Sequence, residues 1–165
     1  MKILLALCLC LHSLTANAQD WPRNPKTNKV EFSGVLPWPA AVKTEAQRQA
    51  LVRRWYLAKL TTASVASVDA DAATNKTNGL LTYAGLPKVA VLRVGTGDSA
   101  RFLVYHAAIT SIKAGARIRL DSFELSQGDY EATPLEPFLS SAAKSEQAAL
   151  ATLRKRLVTA VKGWN

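Results

Sequence analysis

Side chains able to do chemistry are few in this chain and unevenly placed. Cys8, Cys10 and His12 all fall within residues 1–18, which leaves His106 as the imidazole of everything that follows. A catalytic histidine needs a nucleophile within hydrogen-bond reach and a group to orient it. No Gly-x-Ser-x-Gly elbow is present to anchor such a set. Strand alternation puts His106 on one face with Phe102, Val104 and Ala108. On that apolar face it is expected to be a packed, hydrogen-bonded residue. The enzymatic alternative is a hydrolase completed when folding brings a Ser or Asp against His106. It requires the imidazole to be partly exposed in a cleft, beside a hydroxyl or carboxylate.

No catalytic, cofactor or metal residues are assigned. Zinc takes several Cys and His ligands, and one His is too few. Asp69-Ala70-Asp71 begins like a calcium loop, but Ala73 falls at the third ligand position, and the required glycine and distal glutamate are missing. It reads as part of a solvated hairpin loop. Gly95-Thr96-Gly97 lacks the third glycine and following helix of a phosphate-cradling loop, so it reads as a turn. Asn75-Lys76-Thr77 matches a three-residue glycosylation sequon of the kind that chance supplies.

Three cations form the candidate anion-binding set: Lys113, Arg117 and Arg119. Arg117 and Arg119 are two apart on a strand, hence on one face, and Lys113 lies across a turn. Together they suit a phosphate or carboxylate. The plainer role is a solvated outer face, or ion pairs with Asp121 and Glu124. Arg154-Lys155-Arg156 flanks an apolar helical stripe. It is either an interfacial membrane helix or, as expected here, a helix docked on the sheet. Trp38, between two prolines, is expected to be a rim aromatic sealing the core. Stacking on a sugar ring is its alternative.

The positions of the cysteines also suggest where the protein works. Lys2, the apolar run Ile3–Leu14 and Ala16-Asn17-Ala18 have the layout of a secretory signal peptide. Cleavage between Ala18 and Gln19 is expected, with release into the periplasm or beyond the cell. The apolar run is too short to span a bilayer, and neither cysteine follows the small residue a lipoprotein signal needs. Cleavage takes one unit from the net charge of +9. The mature chain is then free of cysteine and folds without a disulfide. A basic excess favours anionic surroundings. Outside the cytoplasm these are lipid head groups, acidic glycans or an envelope protein, and nucleic acid is not an expected partner.

The elements that must position these residues follow from patterning. Residues 19–29 hold Pro22 and Pro25 and read as a mobile, extended leader. Residues 30–165 suit one domain. Val30–Leu36 is a strand. Thr44-Glu45-Ala46-Gln47 is a capping box, opening a helix to about Leu60. A strand is expected near Ser64–Asp69, a polar loop over Asp71–Asn78, and a returning strand over Leu80–Ala84. Val89–Val94, Arg101–Lys113 and Ala116–Leu125 are further strands. Pro134 and Pro137 mark a linker. Ser140 or Ser141 caps a last helix over about 140–163, with Leu150, Leu153, Leu157, Val161 and Trp164 along one stripe. Short connections imply antiparallel pairing. The expected fold is α+β: a curved antiparallel sheet of five or six strands, one helix after the first strand, and a C-terminal amphipathic helix on one face.

Three stretches within Val30–Leu125 resemble a known family: Val30-Glu31-Phe32 with Leu51–Trp55, Asp69–Gly85, and Ile112-Lys113-Ala114-Gly115-Ala116-Arg117-Ile118-Arg119. The last is similar to that family's hairpin of the form Lys-Asp-Gly-x-Tyr-Arg, with Ala114 in place of the acidic residue. The family is a bacterial secreted domain of unknown function with a TATA-binding-protein-like fold. The resemblance implies an acidic hairpin from Asp69 to Gly85 and a helix crossing the sheet, and it implies no activity. The function expected overall is a non-enzymatic binding or assembly module for an anionic ligand or envelope component. The alternatives are the His106 hydrolase and a structural domain that oligomerises through a sheet edge or its last helix.

Overall fold

The computed structural model describes residues 21–95, 100–127 and 131–165. The leader pattern at 1–18 and most of the turn after Gly95 lie outside these residues. The fold is α+β, with a five-stranded antiparallel sheet and four α-helices. The strands are β1 (Phe32–Pro37), β2 (Leu81–Thr82), β3 (Leu86–Pro87), β4 (Val89–Val94), β5 (Arg101–Ile112), β6 (Gly115–Ser126) and β7 (Thr133–Pro134). The main sheet runs β1-β6-β5-β4, with β7 also pairing β6, while β2 and β3 form a separate two-stranded ribbon. The helices are α1 (Glu45–Trp55), α2 (Val65–Asn75), α3 (Leu135–Ser141) and α4 (Lys144–Ala160).

The β5–β6 hairpin is the spine of the sheet. Leu103, Tyr105, Ala107 and Ile109 alternate inward along β5, and Ala116, Ile118 and Leu120 do so along β6. After Leu120 the inward phase moves to Phe123 and Leu125. The pairing explains why. His106 sits opposite Asp121, whereas Val104 sits opposite Glu124, so β6 has one residue too many there. This is a β-bulge. Ser122 occupies it at a φ of 56°, a left-handed conformation that L-residues adopt at a cost of about 1–2 kcal/mol.

Trp21, Phe32, Phe123 and Tyr105 form a chain of ring contacts through the core, with centroids 5.7, 5.6 and 5.1 Å apart. Trp21 is buried, and Arg23 bridges Val30. The segment expected to be an extended leader is therefore, from Trp21 on, a turn folded against β1. Proline and asparagine there make a tight turn, and the indole of Trp21 supplies the anchor.

The capping box forms as expected. The Gln47 N–H donates to Thr44 Oγ1 at 3.2 Å, and the Thr44 N–H to Gln47 Oε1 at 3.0 Å. Helix α1 continues into a π-helical turn, Tyr56–Leu60. Arg156, reaching over from α4, donates to the carbonyls of Lys59, Ala58 and Thr61 at 2.8, 3.2 and 3.2 Å. The Tyr105 hydroxyl donates to the Leu60 carbonyl. These side chains satisfy carbonyls that a helix end leaves without partners.

Three local expectations need correction. The strand at Ser64–Asp69 and the first part of the loop at Asp71–Asn78 are helix α2, which ends at Asn75 and leaves 76–78 a turn, and the start of the acidic hairpin that the resemblance implies is in the same helix. Ser64 caps α2, and Ala66, Ala70, Ala72 and Ala73 lie in it. Alanine is the strongest helix former and outweighs the two valines that suggest a strand. The returning strand shrinks to β2, followed by a single turn at Tyr83–Gly85. The Pro134–Pro137 linker is largely helix α3, with Ser140 and Ser141 inside it. Pro137 is tolerated because the first turn of a helix has N–H groups without intrahelical partners. Helix α4 begins beyond the serines, with Glu146 Oε2 accepting from the Ala143 N–H at 3.1 Å.

Other parts of the chain pack against both outer strands of the sheet. On β4, Val91 O accepts from the Thr62 N–H at 2.9 Å, and the Arg93 N–H donates to Thr62 Oγ1 at 2.9 Å. On β1, a Cβ built on Gly34 would lie 2.2 Å from the Val161 carbonyl oxygen, so the end of α4 presses on the backbone of that strand. Trp164 Nε1 donates to Pro37 O at 2.7 Å. On β4 the Thr62 bonds take up ladder groups that edge-to-edge pairing would use. Among the described residues no helix is long and apolar enough to cross a membrane.

Candidate anion-binding face

The face of β5 and β6 turned away from the core carries the polar chemistry. Phe102, Val104, His106, Ala108 and Thr110 point there from β5, and Arg117, Arg119, Asp121 and Glu124 from β6; all are exposed or half-buried. His106 does share a face with Phe102, Val104 and Ala108, but that face is not the packed one. Its side chain is 41% exposed. The inward positions belong to Leu103, Tyr105 and Ala107, so this apolar stripe lies on the outer surface.

Asp121 is the hub of the face. Its Oδ2 takes the Arg119 Nε at 2.7 Å, and its Oδ1 takes the Ser122 hydroxyl at 3.1 Å and lies 3.7 Å from His106 Nδ1. Alternation along β6 turns Asp121 outward with Arg119, and the bulge places Ser122 outward beside it. The cluster opens on a cavity of about 360 Å³, whose far wall includes Lys29 and Glu31. The Asn24 side-chain amide donates to Glu31 Oε2 at 2.8 Å. A Ser-His-Asp relay needs its hydroxyl on the imidazole. Here the Ser122 hydroxyl is given to the carboxylate instead.

The three predicted cations lie on the β5–β6 hairpin in different states. Arg119 is paired with Asp121. Arg117 stands opposite Thr110 on β5 and Val35 on β1, neither of which is acidic. Lys113 is exposed in the two-residue turn between Ile112 and Gly115. Among the described residues neither Arg117 nor Lys113 is in an ion pair.

The other candidates are spent on structure. Trp38 stacks on Trp164 at 5.6 Å, has the Arg48 guanidinium 5.5 Å from its ring centroid, and donates to Ile112 O at 3.1 Å. It is a rim aromatic. Leu150, Leu153, Leu157 and Val161 are buried, which docks α4, and Arg156 caps the end of the first helical run. Asp69 pairs with Arg53 at 2.5 Å. Asn75 donates to Asp71 O within α2.

Sequence reasoning missed Asp121, Ser122 and Glu31 as a group around His106. A signal was present: Leu120 and Phe123 are three apart, which breaks the two-residue period and marks a bulge. No family model, curated protein or solved structure matches this chain.

Proposed function

We propose that this chain is an exported, non-enzymatic binding module that holds an anionic partner on the outer face of its sheet. Lys113 and Arg117 supply unneutralised charge, and Arg119 and His106 extend the site toward the Asp121 cleft. One observation carries the assignment: Arg117 on the outward face and Lys113 in the turn stand at one end of the central hairpin, without carboxylate partners among the described residues. Packing explains the inward face of that hairpin but not these two cations. The leader pattern of residues 1–18 and the net charge of +9 support an anionic setting outside the cytoplasm. The partner class is an acidic ligand or envelope component.

The test is fluorescence anisotropy with a labelled sulfated polysaccharide, a neutral dextran serving as control. Lys113→Glu with Arg117→Glu weakens binding by about tenfold or more, and the dextran does not bind. No binding at low salt, or equal binding by the double variant, overturns the proposal.

A hydrolase built on His106 is the second function with an observation behind it. The imidazole lies in an open cleft beside a carboxylate and a hydroxyl, as that alternative requires. Ester and phosphoester substrates, assayed with His106→Ala as control, test it. Turnover abolished by that change supports the hydrolase, and absence of turnover rules it out for those substrates.

A further inference from the structure

One carboxylate stands between an imidazole and a guanidinium on the outward face. In the register of β5 and β6, His106 is opposite Asp121. Its Nδ1 lies 3.7 Å from Asp121 Oδ1, too far for a hydrogen bond. The other oxygen, Oδ2, takes the Arg119 Nε at 2.7 Å. While the ring is neutral, the carboxylate therefore belongs to Arg119. The two members of that pair differ in freedom. Asp121 is short and 18% exposed, whereas Arg119 is long and 57% exposed. Two cations on one carboxylate repel each other, and Arg119 is the one with room to turn away.

Other charges face His106 from each neighbouring element. From β6 they are Asp121, Arg119 and, one rung along opposite Val104, Glu124. Lys29 and Glu31 stand across the cleft, ahead of β1. β4 places Val89 opposite the ring, and the adjacent Lys88 gives its Nζ to Gly79 O at 2.9 Å. The outward neighbours on β5, Val104 and Ala108, carry no charge. Among the described residues, Asp121 is the carboxylate in ion-pair contact with the ring. Histidine is the side chain that ordinarily changes charge between about pH 5 and about pH 8, and His106 is the one imidazole of the described residues.

We propose that protonation of His106 switches Arg119 on. The imidazolium takes over Asp121, the guanidinium is released to the face it shares with Arg117, and affinity for an anion rises as pH falls. This rests on the reading that the sheet face binds an anionic partner, and it gives that site a regulator. Arg117 and Lys113 offer their charge throughout this pH range, while Arg119 offers its own only in acid. By linkage, a bound polyanion favours the protonated ring, so binding takes up a proton.

Anisotropy titrations of the full chain with the labelled sulfated polysaccharide, at low salt and at about pH 5.5 and about pH 8, test the switch. Sulfate esters stay ionised across this range, and His12 is common to every protein compared. Wild type is expected to bind about threefold or more tighter at the lower pH. His106→Gln loses that rise. Arg119→Ala weakens binding by a larger factor at the lower pH than at the higher, and in the His106→Gln background its factor is the same at both. Circular dichroism of each variant separates loss of the switch from loss of the fold. Binding that is independent of pH, or a rise that survives His106→Gln, overturns the switch and leaves the binding module standing. An Arg119→Ala factor equal at both pH values with His106 in place also overturns it, because His106 then acts by its own charge alone. Absence of binding at both pH values overturns the underlying reading, and the switch with it.

Discussion

Arg119 and Asp121 lie two residues apart on β6, and the guanidinium Nε meets the carboxylate at 2.7 Å. The pair sorts the hairpin cations into one that is neutralised and two that are not. Reversing Arg117 then removes charge that is available to a partner. Truncating Arg119 removes a cation already committed and leaves the Asp121 carboxylate without its guanidinium. Arg117→Glu is expected to weaken polyanion binding several times more than Arg119→Ala, in the anisotropy titration. Thermal stability should follow the opposite order, with Arg119→Ala losing up to about 1 kcal/mol and Arg117→Glu close to wild type.

Gly34 is required by close approach. Its missing side chain leaves room for the Val161 carbonyl, which a Cβ would meet at 2.2 Å. Backbone on both sides limits relief. Gly34→Ala is expected to cost about 3 kcal/mol in urea unfolding. Gly79→Ala, at a φ of 64° with open space around it, should cost only the left-handed backbone penalty of about 1 kcal/mol. Equal losses at the two sites would show that α4 does not press on β1.

Ser122 sets the bulge. Glycine adopts a φ of 56° without the penalty that a side chain brings, so Ser122→Gly should leave stability within about 1 kcal/mol of wild type. A β-branched residue is disfavoured there, and Ser122→Val should lose about 2 kcal/mol. Chemical denaturation of both variants checks the order.

Tyr105 makes the fold sensitive to alkali. Burial, and the neighbouring Tyr56, push its hydroxyl well above the usual value of 10.0. Burial, followed by Asp71, raises Tyr56 too. Both phenols stay neutral in the folded state, while the unfolded chain loses their protons near the ordinary value. The stability they contribute is complete below about pH 10. It falls as pH rises from there toward the raised folded values. Tyr105→Phe should cost about 1 kcal/mol at neutral pH, through the lost bond to the Leu60 carbonyl. It should also flatten the alkaline loss, leaving the part due to Tyr56. Urea midpoints between pH 8 and pH 11, about one unit either side of the ordinary tyrosine value, measure both effects.

Much of this architecture is written in local pattern. Alternation in Arg101–Ile112 and Gly115–Ser126, the Thr44–Gln47 box and the leucine stripe of α4 each specify their element with neighbouring residues alone. What the sequence concealed depends on distance along the chain. His106 looks like a core residue because its strand neighbours are apolar. Which face is inside is decided by Tyr105, whose hydroxyl bonds the Leu60 carbonyl forty-five residues away. Helix α2 is hidden because Val65 and Val68 favour strands while four alanines favour a helix. The Arg119–Asp121 pair follows from alternation, but the meeting of Asp121 with His106 depends on the register between β5 and β6.

The location of anion binding is the central claim, and amide chemical-shift mapping measures it directly. Uniformly ¹⁵N-labelled protein is titrated with the sulfated polysaccharide at low and moderate salt. The account predicts saturating shifts confined to Ala108–Arg119, with smaller ones at His106 and Asp121, that fade as salt screens the charges. Shifts centred on Arg154 and Lys155, or spread evenly over all exposed lysines and arginines, would contradict it.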